Sequence, residues 1–178
     1  MQNKVLSIII PSYNMEAYLP KCLGSLVIDD NELLQKLEVI IVNDGSKDRT
    51  SEIAHEYAIK YPGIFCVIDK PNGHYGSCIN AALLKVTGSF VKVLDADDWF
   101  DTLVLKMFMR LLVFSDFENE HVDLFLTDFN YVYSDSNKKQ RVTINLPKST
   151  TMNIADCNFR FYIHMHSVTY RTEIVKRM

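Results

Sequence analysis

The segment KVLDADDWF, residues 92 to 100, places Asp95, Asp97 and Asp98 directly after the apolar pair Val93 and Leu94. Carboxylates this close repel one another, and burying them is costly unless positive charge sits among them. One acid suffices to cap a following helix, whereas this segment carries three acids in four positions. Hard oxygen ligands suit Mg²⁺ or Mn²⁺ rather than zinc. Such a cation can meet carboxylate oxygens on one side and phosphate oxygens on the other. The chemistry expected at residues 95 to 98 is binding of a phosphorylated ligand through a divalent metal.

The elements that must position these acids alternate. Apolar runs at 5 to 10, 37 to 42, 64 to 68 and 89 to 94 read as buried strands, the first stopped by Pro11 and the second closed by NDGS. Between them, EAYLPKCLGSL, residues 48 to 60, and a stretch from about 76 to Gly88 read as helices, the last turning Ile79, Leu83 and Val86 inward. Near-continuous apolar strands alternating with helices predict an α/β fold: an open, mostly parallel sheet with helices on both faces. Ligands of such sheets lie beyond the carboxyl ends of the strands. Residues 11 to 14, 43 to 46, 69 to 73 and 95 to 98 then share one acidic rim. Past Trp99, residues 103 to 114 read as a helix. VDLFLTDFNYVYS and RVTINL read as strands that can pair across DSNKKQ, and a helix starts near Arg171. His164 and His166 alternate within FYIHMHSVTY, which predicts one face of a strand. With one Asp they can bind a metal; the plain alternative is a buried, hydrogen-bonded His beside a surface one.

With 178 residues, 48% hydrophobic and 23% charged content and a net charge of -3, the chain suits one globular domain and lacks the basic face of a nucleic-acid binder. KKQR (138 to 141) and Lys176–Arg177 read as solvated surface. No apolar run reaches the roughly 18 residues of a membrane span, and the short first run is no signal peptide. Cys22, Cys66, Cys78 and Cys157 form no CxxC pair and read as reduced, mostly buried thiols of a cytoplasmic protein.

Four ordered blocks, SIIIPSYNMEAYLPKCLGSL, EVIIVNDGSKDRTSEIA, NGHYGSCINAAL and KVLDADDWF, resemble the family 2 glycosyltransferases of GT-A fold, closely over residues 4 to 115 and loosely beyond. The resemblance implies transfer of a sugar, with inversion, from a nucleotide-diphospho donor, a UDP-sugar above all. The acceptor would be a glycan or lipid-linked glycan of bacterial surface polysaccharide assembly. It also implies cytoplasmic placement with peripheral membrane contact. Tyr13 matches the aromatic that lies on the base, Pro11 a wall of its pocket, and Asp44 the acid that accepts from the ring N–H of uracil. Asp97 matches the metal-bound carboxylate and Asp95 the acid that supports ribose or metal, with Asp98 beside them. Asn72, Gly73, Gly76 and Asn80 match a loop near the donor, although SCIN stands where an Arg or Ala pair is frequent in the family. Plain alternatives stay open: a core role for Tyr13 or Trp99, a turn or cap for Asp44, and a helix-surface amide for Asn80.

The resemblance divides one GT-A domain into a donor half, 1 to 115, and the start of an acceptor-side half, 116 to 178. Its general base lies downstream of the segment that HSVTYRTEIVKRM resembles, which puts it beyond Met178. Asp128 and Asp156 are the candidates within the chain, and both come early for the match. Two other classes compete. A sugar-nucleotide nucleotidyltransferase needs a glycine-rich basic loop after the first strand, and PSYNMEAYL is neither. A non-catalytic nucleotide-sugar-binding module would bind donor without turnover.

Overall fold

The computed structural model describes residues 3–118, 121–133, 136, 138–144, 146, 147, 150–157 and 163–177. β1 (Leu6–Ser12) is buried along its whole length, and β2 (Leu37–Asn43) nearly so. β3 (Phe65–Asp69) and β4 (Phe90–Val93) complete a parallel set in the order β3-β2-β1-β4. β8 (Val168–Arg171) then joins β4 antiparallel, and β5 (Leu124–Leu126) joins β8 antiparallel. The sheet is open and mostly parallel, as its apolar strands predict.

Helices cover both faces. On one face, α1 (Leu19–Gly24), α2 (Asn31–Gln35), α3 (Thr50–Lys60) and α5 (Thr102–Phe117) pack Leu23, Leu33, Ala54 and Met109 against Ile8, Ile10, Val39 and Phe90. On the other, α4 (His74–Leu83) sets Cys78 and Ala82 against Ile9, Ile40 and Val91, joined by Val175 of α6 (Thr172–Arg177). Every second residue of a strand faces the same way, so Ile8 and Ile10 belong to the first core and Ile9 to the second. α2 is missed by the sequence reading; Asp30 starts it by accepting from the Leu33 N–H.

Lys92 is almost fully buried within β4. Its ammonium donates to the carbonyls of His166 (2.6 Å) and Val168 (3.2 Å), which ties β8 and the 3-10 turn Met165–Ser167 to the strand that carries the acids. Burial pushes its pKa down to about 8, with the Asp98 charge pulling the other way.

Several expectations shift. Pro11 does not end β1; the strand pairs with β2 through Ser12. Leu94 donates to the Ile9 carbonyl and Asp44 to the Ser12 carbonyl, so odd positions of β1 face β4. The missing N–H of Pro11 falls on that side, past the last β4 pair at Ile9 and Val93, where no ladder bond is lost. α4 runs from His74 to Leu83 rather than from 76 to Gly88 and buries Cys78 and Ala82, with Ile79 and Leu83 half-buried; Val86 is buried past its end. VDLFLTDFNYVYS divides into β5 and β6 (Phe129–Val132), because Thr127 turns aside to bond Ser167 and Asp128 bonds the Ile144 N–H. β6 pairs with β7 (Lys139–Val142) in the expected hairpin, yet β7 ends before the rest of RVTINL, of which Asn145 lies outside the described residues. His164 and His166 sit at the 3-10 turn, not on a strand. Residues 158 to 162, NFRFY, lie outside the described residues. Of the four free cysteines, Cys22 and Cys78 are buried, Cys66 is exposed and Cys157 half-exposed.

Candidate donor site

The four rim segments do converge. Pro11, Ser12, Tyr13, Met15, Asp44, Asn72, His74, Tyr75, Cys78, Asp95, Ala96 and Asp97 line one cleft of about 500 Å³ at the carboxyl ends of β1, β2 and β4. A second cleft of about 520 Å³ lies on the other side of Asp97, lined by Asp98, Trp99, Phe100, Asp128, Phe129, Tyr131, Lys139 and His166 among others. Asp97 borders both.

Tyr13 follows β1 directly and is 44% exposed, a ring face open to solvent rather than a core residue. Asn14 holds it there. Asn14 adopts φ 54°, donates its N–H to Ser46 Oγ (3.0 Å) and accepts the Lys47 N–H on Oδ1 (2.9 Å). Asn tolerates this left-handed conformation better than most residues. The Tyr13 ring is thereby fixed beside the turn that carries Asp44. We expect Tyr13→Ala to weaken uridine, cytidine and adenosine diphosphates alike, by about 1–3 kcal/mol for a lost stacking face. Calorimetric titration of the three checks it, and loss for one base only would contradict a stacking role.

Asp44 is buried, and its Oδ1 accepts from the Lys70 ammonium and from the Gly73 N–H (2.9 Å). Burial pushes the Asp44 carboxyl up, but Lys70 and Gly73 outweigh it and hold the carboxyl below its ordinary range. Two glycines make this possible. Gly45 has φ +71°, and a Cβ there would meet the Asn72 N at 3.0 Å. A Cβ at Gly73 would lie 2.9 Å from the Lys70 ammonium. The loop between β3 and α4 therefore closes onto the end of β2, and Asn72 adds a bond from its side chain to the Asp44 carbonyl (3.0 Å). Asp44 does serve the local turn as well, since its backbone ties to Ser12 and Asn72.

Asp95 accepts from the Tyr75 hydroxyl at 2.6 Å. Asp97 is exposed, and no hydrogen bond or ion pair reaches its carboxylate among the described residues. Asp98 is half-buried; burial, then the charges of Asp97 and Asp95, push its carboxyl up, opposed by Lys92. His166 Nδ1 lies 3.9 Å from Asp98 Oδ2, too far for a hydrogen bond. Burial, then His164 and Lys92, push His166 down, toward the neutral ring, and among the described residues its buried Nε2 has no hydrogen-bond partner. Its ring stacks on His164, with centroids 5.2 Å apart at 16°.

These residues fit a divalent cation that takes part of its shell from a ligand. Among the described residues, no three His, Cys, Asp or Glu side chains converge into a closed cage. The unpartnered Asp97 and the undercompensated Asp98 leave negative charge at the mouth, and Mg²⁺-type sites are commonly built from one or two carboxylates plus phosphates.

The remaining candidates scatter. Asn72 lines the first cleft and the Gly73 N–H serves Asp44. Gly76 and Asn80 are exposed on α4 and line neither cleft. Asp128 lines the second cleft with Oδ2 bonded to Arg141 (2.9 Å) and Oδ1 to the Ile144 N–H (2.9 Å). Asp156 is exposed in the 3-10 turn Ile154–Asp156 and lines neither cleft. Trp99 is half-exposed, with the Lys21 ammonium 3.1 Å from its ring centroid. Sequence reasoning missed Lys70, Tyr75 and Lys21. A lone cation and a tyrosine inside KPNGHYG, between acidic strand ends, were the signal for the first two.

The sequence profile described as "Glycosyl transferase family 2" matches residues 7–178. The uncharacterized glycosyltransferase MG025 of Mycoplasma genitalium is 44% identical over 103 residues, 56% of this chain and 34% of its own length. The minor teichoic acid biosynthesis protein GgaB of Bacillus subtilis is 34% identical over 123 residues, 68% of this chain and 13% of its own. Among solved structures, S. aureus TarS 1-349 in complex with UDP-GlcNAc superposes with a TM-score of 0.76 at 27% identity, covering 97% of this chain and 47% of that one. The chain thus spans less than half the length of each of these proteins.

Proposed function

The chain belongs to glycosyl transferase family 2, and on that premise we propose that it binds a UDP-sugar and takes part in its transfer, with inversion, to a glycan or lipid-linked acceptor. The observation that carries the donor reading is the shared cleft of Tyr13, Asp44, Asp95 and Asp97, which gathers an open ring face, a buried acceptor, the Asp95 carboxylate held by Tyr75 and the exposed Asp97 carboxylate. The nucleotide lies along it, base at Tyr13 and Asp44, diphosphate toward Asp97. The complex of TarS with UDP-GlcNAc supports the donor class.

Mn²⁺ or Mg²⁺ held by Asp97, with Asp95 and Asp98 near, would neutralise the charge that grows on the leaving diphosphate. The chain's own residues orient the donor, and Tyr75 and Lys92 fix the strand end that presents the acids. The second cleft, bordered by Asp97, Trp99 and Tyr131, is the acceptor side of this reading, supplied by residues 116 to 178 and the end of the donor half. GgaB, a teichoic acid biosynthesis protein, supports a cell-surface polymer as acceptor class. No helix among the described residues is long and apolar enough to cross a membrane.

UDP titrated by calorimetry should bind at least about tenfold more tightly in Mn²⁺ than in EDTA, about 1.4 kcal/mol. Equal affinity in both would remove the cation bridge, and no binding of UDP in either would remove the donor reading.

A further inference from the structure

The proposed site leaves Lys70 without a role, yet its ammonium is the protein cation placed closest to any of the cleft carboxylates. It is 19% exposed, and it also donates to the Pro71 carbonyl at 2.7 Å. Lys70 and the Gly73 N–H both bond Asp44 Oδ1. Among the described residues, no nitrogen or oxygen donor reaches Oδ2; the Cys78 thiol is the other group that interacts with the carboxylate. Ring N–H groups of bases donate, and bare ring nitrogens accept. A carboxylate with one oxygen occupied offers the cleft a single acceptor and no donor.

We propose that Lys70 is a base-selectivity residue that acts through Asp44: by occupying Oδ1 and keeping the carboxylate ionised, it admits a base that presents a ring N–H, as uracil does, and disfavours one that presents a ring acceptor, as cytosine does. The inference rests on the reading that the base lies against Asp44.

Without Lys70, the burial of Asp44 is opposed by the Gly73 N–H and the Cys78 thiol but by no adjacent cation, and the balance moves toward the protonated acid. A protonated Oδ2 donates where it had accepted. Selectivity between the two pyrimidines then becomes dependent on pH. The sign is fixed: cytidine nucleotides gain and uridine nucleotides lose as pH falls. Groups facing the same cleft are His74, Tyr75 and Cys78 from α4, Tyr13 from the end of β1, and Asp95 and Asp97 from the end of β4. The diphosphate and ribose are common to UDP and CDP, so whatever these groups do to the shared parts cancels in the ratio of the two affinities.

The experiment measures Kd for UDP and CDP by calorimetry in Mn²⁺, from about pH 5.5 to 8, for the parent, Lys70→Met, Lys70→Gln and Lys70→Arg. The parent should prefer UDP by a ratio that is flat across this range. Lys70→Met and Lys70→Gln should show a ratio that falls about tenfold toward acid, the scale of one charge-assisted hydrogen bond. Lys70→Arg should restore the flat profile. Lys70→Gln keeps a donor to Asp44 and Pro71 without the charge, so a readable variant remains if Met disturbs packing. A ratio that stays flat in both neutral variants overturns the role of Lys70 while leaving the base site intact. A parent that binds UDP and CDP equally overturns the base site and this inference with it.

Discussion

Asp97→Asn should abolish the gain that Mn²⁺ gives to UDP binding and leave the fold intact. Even outer partners of metal ligands typically alter metal affinity by about 10- to 100-fold, so loss of the most exposed carboxylate of the group should cost UDP affinity in Mn²⁺ about a hundredfold. In EDTA, parent and variant should bind UDP equally. The carboxylate has no protein partner among the described residues and stands beside Asp98, whose own carboxyl is pushed up by burial and then by the charges of Asp97 and Asp95. Removing one of these charges relieves repulsion, so stability should hold or rise, within about 0.5 kcal/mol. Calorimetry in both buffers and a thermal melt measure the two halves. A collapse of the melting temperature would make Asp97 a structural residue, and a retained Mn²⁺ effect would move the cation to Asp95 or Asp98.

The parts of this site that sequence exposes are those whose physics is local. A β-branched run that ends in Pro-Ser-Tyr, or in Asn-Asp-Gly, announces a buried strand and a turn, and the strand-end rule places both on one rim. Tyr13, Asp44 and Asp97 follow from that rule, and the cleft gathers all three. What escapes is what depends on three-dimensional partners. That Lys70 reaches back across the sheet to Asp44, or that Tyr75 bonds Asp95 from the first turn of α4, needs the loop path set by Gly45 and Gly73. The buried Lys92 reads in sequence as an interruption of an apolar strand; its partners are carbonyls 74 and 76 residues away. The alternation of His164 and His166 suggested a strand face, but a 3-10 turn also brings the two rings together, so spacing alone could not tell them apart. β5 and β6 were legible as apolar stretches and illegible as members of two different sheets, because Thr127 and Asp128 break them by contacts with Ser167, Arg141 and Ile144.

Asp44→Ala should behave in the opposite way to Asp97→Asn, with loss of both UDP binding and stability. Removing the carboxylate leaves the Gly73 N–H without its acceptor and the Lys70 ammonium with the Pro71 carbonyl alone. Breaking a buried pair from one side typically costs about 3–5 kcal/mol. Lys70 keeps some contact with solvent, which lowers the expectation to about 2–3 kcal/mol. Because that cost comes from a stranded charge, deleting its partner should return part of it: Asp44→Ala with Lys70→Met should be more stable than Asp44→Ala alone, by about 1 kcal/mol or more. UDP binding should not return, since the acceptor for the base is still missing. The pH dependence carries a further sign. The Asp44 carboxyl is held low in the folded chain, so its contribution is present above the ordinary aspartate value of about 3.9 and is lost as pH falls through the lower folded value. The stability gap between parent and Asp44→Ala should therefore close in acid. Urea unfolding of the four chains of this cycle, at neutral pH and in acid, resolves each arm. If the double variant is less stable than Asp44→Ala, then Lys70 holds the loop by contacts of its own, and the pair with Asp44 is not what fixes the end of β2 beneath the base.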